Sequence, residues 1–276
     1  MRVLRLLAPR WNVLALTSSP QRLAQLRQAG ATPLLGNLDV SASLKRLAGL
    51  ADAVLHLAPP PGLGVHDART SHLLQALARS GRARTLVYGS TTGVYGDAQG
   101  AVFDETRPVR PSTDRAVRRV DAEAQVRAFG RRSGVRVCVL RIPGIYAADR
   151  DGGHPRDRLL RATPVLAEAD DVYTNHIHAD DLARACVAAL LHGTAQRVYH
   201  ASDDTDLKMG DYFDLAADLC GLPHPPRVSR DEARLALSPM MLSFMSESRR
   251  LLNHRLKYEL GLKLRYPTVR EGLTGT

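Results

Sequence analysis

The densest concentration of groups that can do chemistry is Tyr88-Gly89-Ser90-Thr91-Thr92-Gly93-Val94-Tyr95-Gly96-Asp97. Hydroxyls at Ser90, Thr91 and Thr92 can donate to and accept from a substrate oxygen. Gly89, Gly93 and Gly96 allow the backbone to approach a bound molecule closely. The stretch follows an apolar run ending Thr85-Leu86-Val87, so it reads as the carboxyl end of a strand opening into a loop. In an open parallel sheet, ligands bind in the crevice outside the strand ends. The same residue types also make an ordinary surface turn, so the surrounding elements decide between the two.

Those elements alternate. Residues 2–8 carry apolar side chains at 3, 4, 6 and 7, a helical spacing. A strand over 11–16, a helix over 20–29 closed by Gly30, and a short strand at 32–35 follow. A helix at 41–50 precedes the strand 53–58, which the prolines at 59–61 end. A helix at 67–80 leads into the opening strand, and a helix at 113–132 is followed by the apolar strand 135–142. Such alternation predicts an α/β fold of βαβ units, a doubly wound parallel sheet with right-handed crossovers. After Tyr146 the pattern loosens into loops and shorter helices, which suggests a smaller C-terminal lobe.

A sheet of this kind normally opens with a strand and a Gly-x-Gly-x-x-Gly turn that holds a pyrophosphate. Here the chain starts inside the helix that should follow that turn. The expectation is that the sequence begins late, by roughly ten to fifteen residues. The alternative, residues 2–7 as the first strand, leaves too short a connection for a parallel crossover.

Composition narrows the classes. No apolar run is long enough to cross a bilayer, and arginines interrupt any signal-peptide core at the N-terminus, so a cytoplasmic protein is expected. The net charge of +10 invites a nucleic-acid partner, but the arginines are scattered with few aromatics beside them, so none is expected. Cys138, Cys186 and Cys220 read as reduced core residues. His176, His178, Asp180 and Asp181 have the chemistry of metal ligands. Alternation puts the two histidines on one face of a strand while the aspartates begin a helix, so no metal is expected.

With these elements in place the chain resembles the extended short-chain dehydrogenase/reductases of the nucleotide-sugar epimerase/dehydratase type, over about residues 11–272. Besides the stretch from Ser90 to Asp97, four segments carry the likeness. They are Asp104-Glu105-Thr106-Arg107-Pro108 with Pro111, Leu140-Arg141-Ile142-Pro143-Gly144-Ile145-Tyr146, Asn175-His176-Ile177-His178-Ala179-Asp180-Asp181-Leu182-Ala183, and a closing set from Tyr258 to Leu273. The resemblance implies a Rossmann domain for NAD or NADP over 1–145. It implies a substrate lobe over 146–276, from which about 174–200 return to the Rossmann domain. It also implies a small-molecule substrate and a homodimer, formed through the helix at 113–132 that carries Val117, Val120 and Ala124.

In that family a Ser/Thr, a Tyr and a Lys four residues later carry catalysis. The Ser/Thr position falls on Thr91. Counting back from Ala122-Glu123, the Tyr falls on Arg115 and the Lys on Arg119, and both are departures. Arg119 can still donate to a ribose. Arg115 faces the same side one turn earlier, but it stays protonated at any working pH and gives up no proton. Either another group, Tyr95, Tyr88 or Asp114, serves as acid/base, or the protein binds cofactor as a redox sensor or scaffold without the family's chemistry. The resemblance places the cofactor along Thr17-Ser18-Ser19, Asn37 and Leu38, Leu57-Ala58-Pro59, Arg119 and Pro143. Thr17 to Ser19 offer no carboxylate for a ribose 2′-hydroxyl, and with Arg22 near they favour NADP slightly; a serine there also suits a helix N-cap. Arg156, Arg158 and Arg161 fall where the family binds substrate, and Met240, Met241, Phe244 and Met245 can line a pocket or simply pack.

Overall fold

The computed structural model describes residues 1–150 and 152–274. It begins with a helix, α1 (Arg2–Leu7), where the 3, 4, 6, 7 spacing placed one. Strands β1 (Leu14–Thr17), β2 (Thr32–Leu35), β3 (Ala53–His56) and β4 (Thr85–Thr91) alternate with helices α2 (Leu23–Gln28) and α3 (Ala68–Ala78). The helix expected at 41–50 is a tighter 3-10 turn over Ser41–Leu47. The Ser43 hydroxyl donates to the carbonyls of Asn37 (2.9 Å) and Val40 (2.7 Å), a local bonding that competes with α-helix.

Next come β5 (Val102–Phe103), α4 (Asp114–Ser133), β6 (Arg136–Ile142) and β7 (Gly144–Tyr146). The looser second part contains α5 (Arg156–Leu160), β8 (Val165–Leu166), β9 (Tyr173–Thr174), β10 (His176–His178), α6 (Ala179–His192), β11 (Val198–His200), β12 (Leu207–Lys208) and α7 (Met209–Cys220). It closes with β13 (Arg227–Val228), α8 (Arg230–Ala236), α9 (Pro239–Phe244), β14 (Arg250–Leu251), α10 (His254–Tyr258) and α11 (Val269–Thr274).

The central sheet is parallel, in the order β11-β6-β4-β3, and β11 thus brings residues beyond 174 back beside β6. β1 and β2 form a separate parallel pair. Among the described residues β1 is bonded to β2 alone and β3 to β4 alone.

Both faces of the sheet are covered, as a wholly parallel sheet requires. Leu73, Leu74 and Leu77 of α3 pack with Val126 and Phe129 of α4 against Leu86, Tyr88, Val137 and Val139. On the other face Ala185, Cys186 and Ala189 of α6 meet Val87, Cys138 and Leu140. The two helices that flank the site are fixed at their ends. Asp67 caps α3 by accepting from Thr70 N (3.0 Å). Thr113 caps α4 by accepting from Ala116 N (3.2 Å), and Gly134 ends it at φ +68°. A third core, around Val165, Leu166, Tyr212, Phe213 and Met245, holds the C-terminal elements together.

Candidate active site

The carboxyl ends of the parallel strands gather most of the residues singled out in the sequence. Thr17 ends β1, Asn37 follows β2, Leu57 to Pro59 follow β3, Thr91 ends β4 and Pro143 follows β6. Thr91 lies opposite Ile142 in the β4–β6 register. Arg69 of α3 ties the two halves together: it makes a two-pronged ion pair with Asp39 (2.7 and 2.8 Å) and donates to the Pro59 carbonyl (3.1 Å).

Beneath Thr91 runs a buried chain of polar side chains. Ser90 Oγ donates to Glu123 Oε1 (2.6 Å). Glu123 faces Arg141 in a bidentate pair, from Nη2 to Oε2 (2.7 Å) and from Nε to Oε1 (3.1 Å). Arg141 Nη1 donates to the Tyr95 oxygen (2.7 Å), and Tyr95 in turn meets His200 Nε2 at 2.6 Å. His200 Nδ1 lies 2.8 Å from the Leu252 carbonyl, which can only accept, so Nδ1 carries the proton and Nε2 accepts from the phenol. Burial pushes the His200 imidazole down to about 4, so it is neutral. Every member of this chain has a partner, and a paired, bonded charge is the form in which Glu123 and Arg141 can sit inside a protein.

Tyr95 therefore stands in the core. It is 1% exposed, its hydroxyl is engaged on both sides, and burial pushes its pKa up to about 12. The expectation that it could replace the missing acid/base placed it at the crevice, and the structure does not. Tyr88 is likewise buried, with its hydroxyl accepting from Arg119 Nη1 at 3.0 Å. Asp114 is exposed at the start of α4. Gly89 and Gly96 need their missing side chains: a Cβ at Gly89 would lie 2.8 Å from Leu57 Cδ2, and one at Gly96, which sits at φ +64°, would lie 2.2 Å from the Arg110 carbonyl oxygen.

Arg119 reaches the site from α4, donating through Nη1 to the Gly89 carbonyl (2.7 Å) as well as to Tyr88. Its remaining nitrogens have no hydrogen-bond partner among the described residues. Arg115, one turn earlier, is exposed and lies over the Phe244 ring, with Cζ 5.4 Å from the centroid. Thr91 is half-buried, its Oγ1 accepting from Gly93 N at 3.3 Å.

The cofactor candidates fit a nucleotide by their chemistry. Leu57 is 44% exposed beside an exposed Pro59, an apolar wall at the end of β3. Ser18 is exposed, Thr17 Oγ1 accepts from Ser19 N (3.2 Å), and Asp39, the nearby carboxylate, is already held by Arg69. Asn37 and Leu38 are half-buried and bonded locally: Asn37 Oδ1 accepts from Asp39 N (2.9 Å), and the Leu38 carbonyl accepts from His72 Nδ1 (2.8 Å). Ala58 and Pro143 are half-buried.

The histidine–aspartate segment does structural work. His178 Nδ1 accepts from Asp180 N (3.2 Å) at the start of α6, and buried Asp181 accepts from Arg265 N (3.0 and 2.9 Å) and Tyr266 N (2.8 Å), tying the chain end to α6. His176 and His178 both face the Tyr146 ring, at 6.2 and 5.3 Å, so they do share a face. Of the arginines in α5, Arg158 lies over Phe213 (4.3 Å). On α4, Val120 is partly buried against the Tyr95 cluster.

Two features escaped the sequence reading. The Ser90–Glu123–Arg141–Tyr95–His200 chain is one. Its signal was available in a Glu on the face of α4 that carries Arg115 and Arg119, and an Arg inside the apolar strand β6. The other is the meeting of Arg115 with Phe244, which no spacing links.

Comparison with known proteins agrees with this geometry. The model of the family described as "NAD dependent epimerase/dehydratase family" matches residues 2–202. A 3-diazoavenalumate denitrifying reductase of a Streptomyces species is 29% identical over 211 residues, covering 74% of this chain and 68% of that protein. A GDP-6-deoxy-D-mannose reductase of Pseudomonas aeruginosa is 29% identical over 215 residues, 67% of this chain and 70% of that one. Among solved structures, a functionally unknown conserved protein from Silicibacter pomeroyi superposes with a TM-score of 0.81 at 34% identity, covering 99% of this chain and 93% of that one.

Proposed function

The chain belongs to the NAD-dependent epimerase/dehydratase family, and from that premise we propose that it is an NAD(P)-dependent oxidoreductase acting on a small organic substrate in the crevice at the end of β4. The observation that carries the reading is Arg119 fixed on the Gly89 carbonyl at 2.7 Å, on the same strand whose last residue, Thr91, presents a half-open hydroxyl. When bound, NAD(P) supplies or accepts the hydride.

The chain's own residues do the rest. Thr91 donates its hydroxyl to the substrate oxygen and stabilises the charge that develops there. Arg119 uses the nitrogens left over from Gly89 and Tyr88 to hold a ribose. Leu57 and Pro59 shield one side from water. Ser18, with no free carboxylate near it, tolerates a 2′-phosphate, so NADP is the preferred form. Glu123, Arg141, Tyr95 and His200 hold the backbone under Thr91 in place without touching substrate. We place the protein in the cytoplasm as a homodimer; no helix among the described residues is long and apolar enough to cross a membrane.

Position 115 sets this chain apart. A guanidinium there gives up no proton, so a substrate oxygen takes its proton from water or the substrate needs none. The Streptomyces and Pseudomonas relatives are both reductases, and reduction is the direction we favour. A second reading, a cofactor-binding sensor or scaffold, rests on the same Arg115.

Steady oxidation of NADPH or NADH with a panel of carbonyl and nucleotide-sugar compounds separates the two. Turnover that falls about 100-fold in Thr91→Ala supports the enzyme. Binding without consumption supports the sensor, and unchanged turnover in Thr91→Ala removes that residue from the site.

A further inference from the structure

We propose that Arg115 and Phe244 form a substrate-recognition clamp for a small planar carboxylate; the proposal rests on the oxidoreductase reading of the crevice. Arg115 stands in the first turn of α4, one turn before Arg119 on the same helix face. It is exposed, and among the described residues its guanidinium has no hydrogen bond or ion pair. Glu247, in the segment after α9, is already taken by Ser112 and by Arg249 (2.5 Å). A cation in that position is left for a ligand.

Phe244 gives the site its second half. It lies on α9, packed with the C-terminal elements, while Arg115 belongs to the helix that covers the sheet, so their contact joins those two parts of the molecule. The ring is 50% exposed even though the guanidinium lies over it at 5.4 Å. Arg presents a flat fork that matches a carboxylate in its own plane. A flat acyl or aryl group continuing from that carboxylate would lie along the open part of the Phe244 ring.

One guanidinium with an aromatic neighbour suits a monoanion; Arg119, the next cation on this helix face, already spends one nitrogen on Gly89 and Tyr88, and Arg249 is paired with Glu247. The spacing also limits size. Arg115 and Arg119 are one helical turn apart, about 5 Å, so the anionic end and the reacting centre beside Thr91 belong to one short molecule. The residue that replaces the proton donor thus selects the substrate.

Calorimetric titration of the full chain with benzoate and with its neutral isostere benzamide, each with and without saturating NADPH, tests this. Benzoate should bind about tenfold tighter than benzamide, the margin of a charge-assisted hydrogen bond. Arg115→Gln should remove the difference, and Phe244→Leu should weaken both compounds. Equal affinities in the parent chain, no benzoate binding in any arm, a preference that survives Arg115→Gln, or tighter binding of phenyl phosphate than of benzoate would overturn the clamp. Absence of NADPH binding would instead overturn the cofactor reading, because the clamp is read from the nucleotide-free arms as well.

Discussion

Beneath Thr91, each polar side chain from Ser90 to His200 ends on a partner. At the junction of the C-terminal elements with β10, His176, His178, Ser202 and Asp203 are just as deeply buried, yet His176 Nδ1, His178 Nε2, Ser202 Oγ and Asp203 Oδ2 find no hydrogen-bond partner among the described residues. The first cluster is rigid because removing any member leaves a buried group unsatisfied. The second is sensitive to protons, because burial outweighs the few bonds its groups make, such as Thr205 N to Asp203 Oδ1 (3.0 Å). Burial pushes Asp203 up to about 8 and His176 down to about 4.

The largest expected effect comes from breaking the floor. Glu123→Ala leaves Arg141 buried without its anion and should cost about 3–5 kcal/mol, read by denaturant unfolding. A loss below about 1 kcal/mol would show that the pair does not hold the floor.

Buried histidines and Asp203 of the junction should show themselves through pH. His56, His176 and His200 are pushed by burial from 6.5 to about 4. The unfolded chain takes up those protons first, so their contribution is full above pH 6.5 and is lost as pH falls through 4. Asp203 is raised by burial from 3.8 to about 8, so the folded chain holds its proton more tightly. Its contribution is full below 3.8 and is lost as pH rises through 8. Between pH 4 and 6.5 the three histidines outweigh the one aspartate; of these four groups only the aspartate still titrates between 6.5 and 8. The melting temperature should therefore peak near pH 6.5. Asp203→Asn should flatten the alkaline side, a difference of a few kcal/mol at most (order of magnitude, about 1.4 per pKa unit). An unchanged alkaline slope in that variant would locate the pH response elsewhere.

Tyr95→Phe sharpens the comparison at smaller cost. It leaves His200 Nε2 without a donor and Arg141 Nη1 without an acceptor, for about 1–3 kcal/mol. With Tyr95 in the floor, the variant should lose stability while keeping the pH dependence of turnover; a shifted pH–rate profile would return Tyr95 to the chemistry.

The sequence made the sheet legible because β4 and β6 are continuous buried apolar runs and their helices carry clear caps. It also made α1 legible, as a helix and not a strand. The 3-10 turn at Ser41–Leu47 was not, because the Ser43 hydroxyl bonds that set it depend on where Asn37 and Val40 lie. Thr91, Arg115 and Arg119 could be found by counting along one loop and one helix. Tyr95 was misplaced for a physical reason: a tyrosine in a glycine-rich loop looks available until Arg141 and His200, 46 and 105 residues away, claim its hydroxyl. Phe244 was visible as an adaptable apolar residue, but its contact with Arg115 of α4 was not.

The central claim is that the ends of β1, β3 and β4 form a nucleotide site with a preference for NADP. Calorimetric titration with NADPH and NADH, on the parent chain and on Leu57→Glu, tests it most directly. The account predicts one site per chain, tighter binding of NADPH than of NADH, and loss of both in Leu57→Glu, where a carboxylate would face the cofactor's own negative charge. No binding of either nucleotide to the parent chain, or binding indifferent to Leu57→Glu, would contradict it.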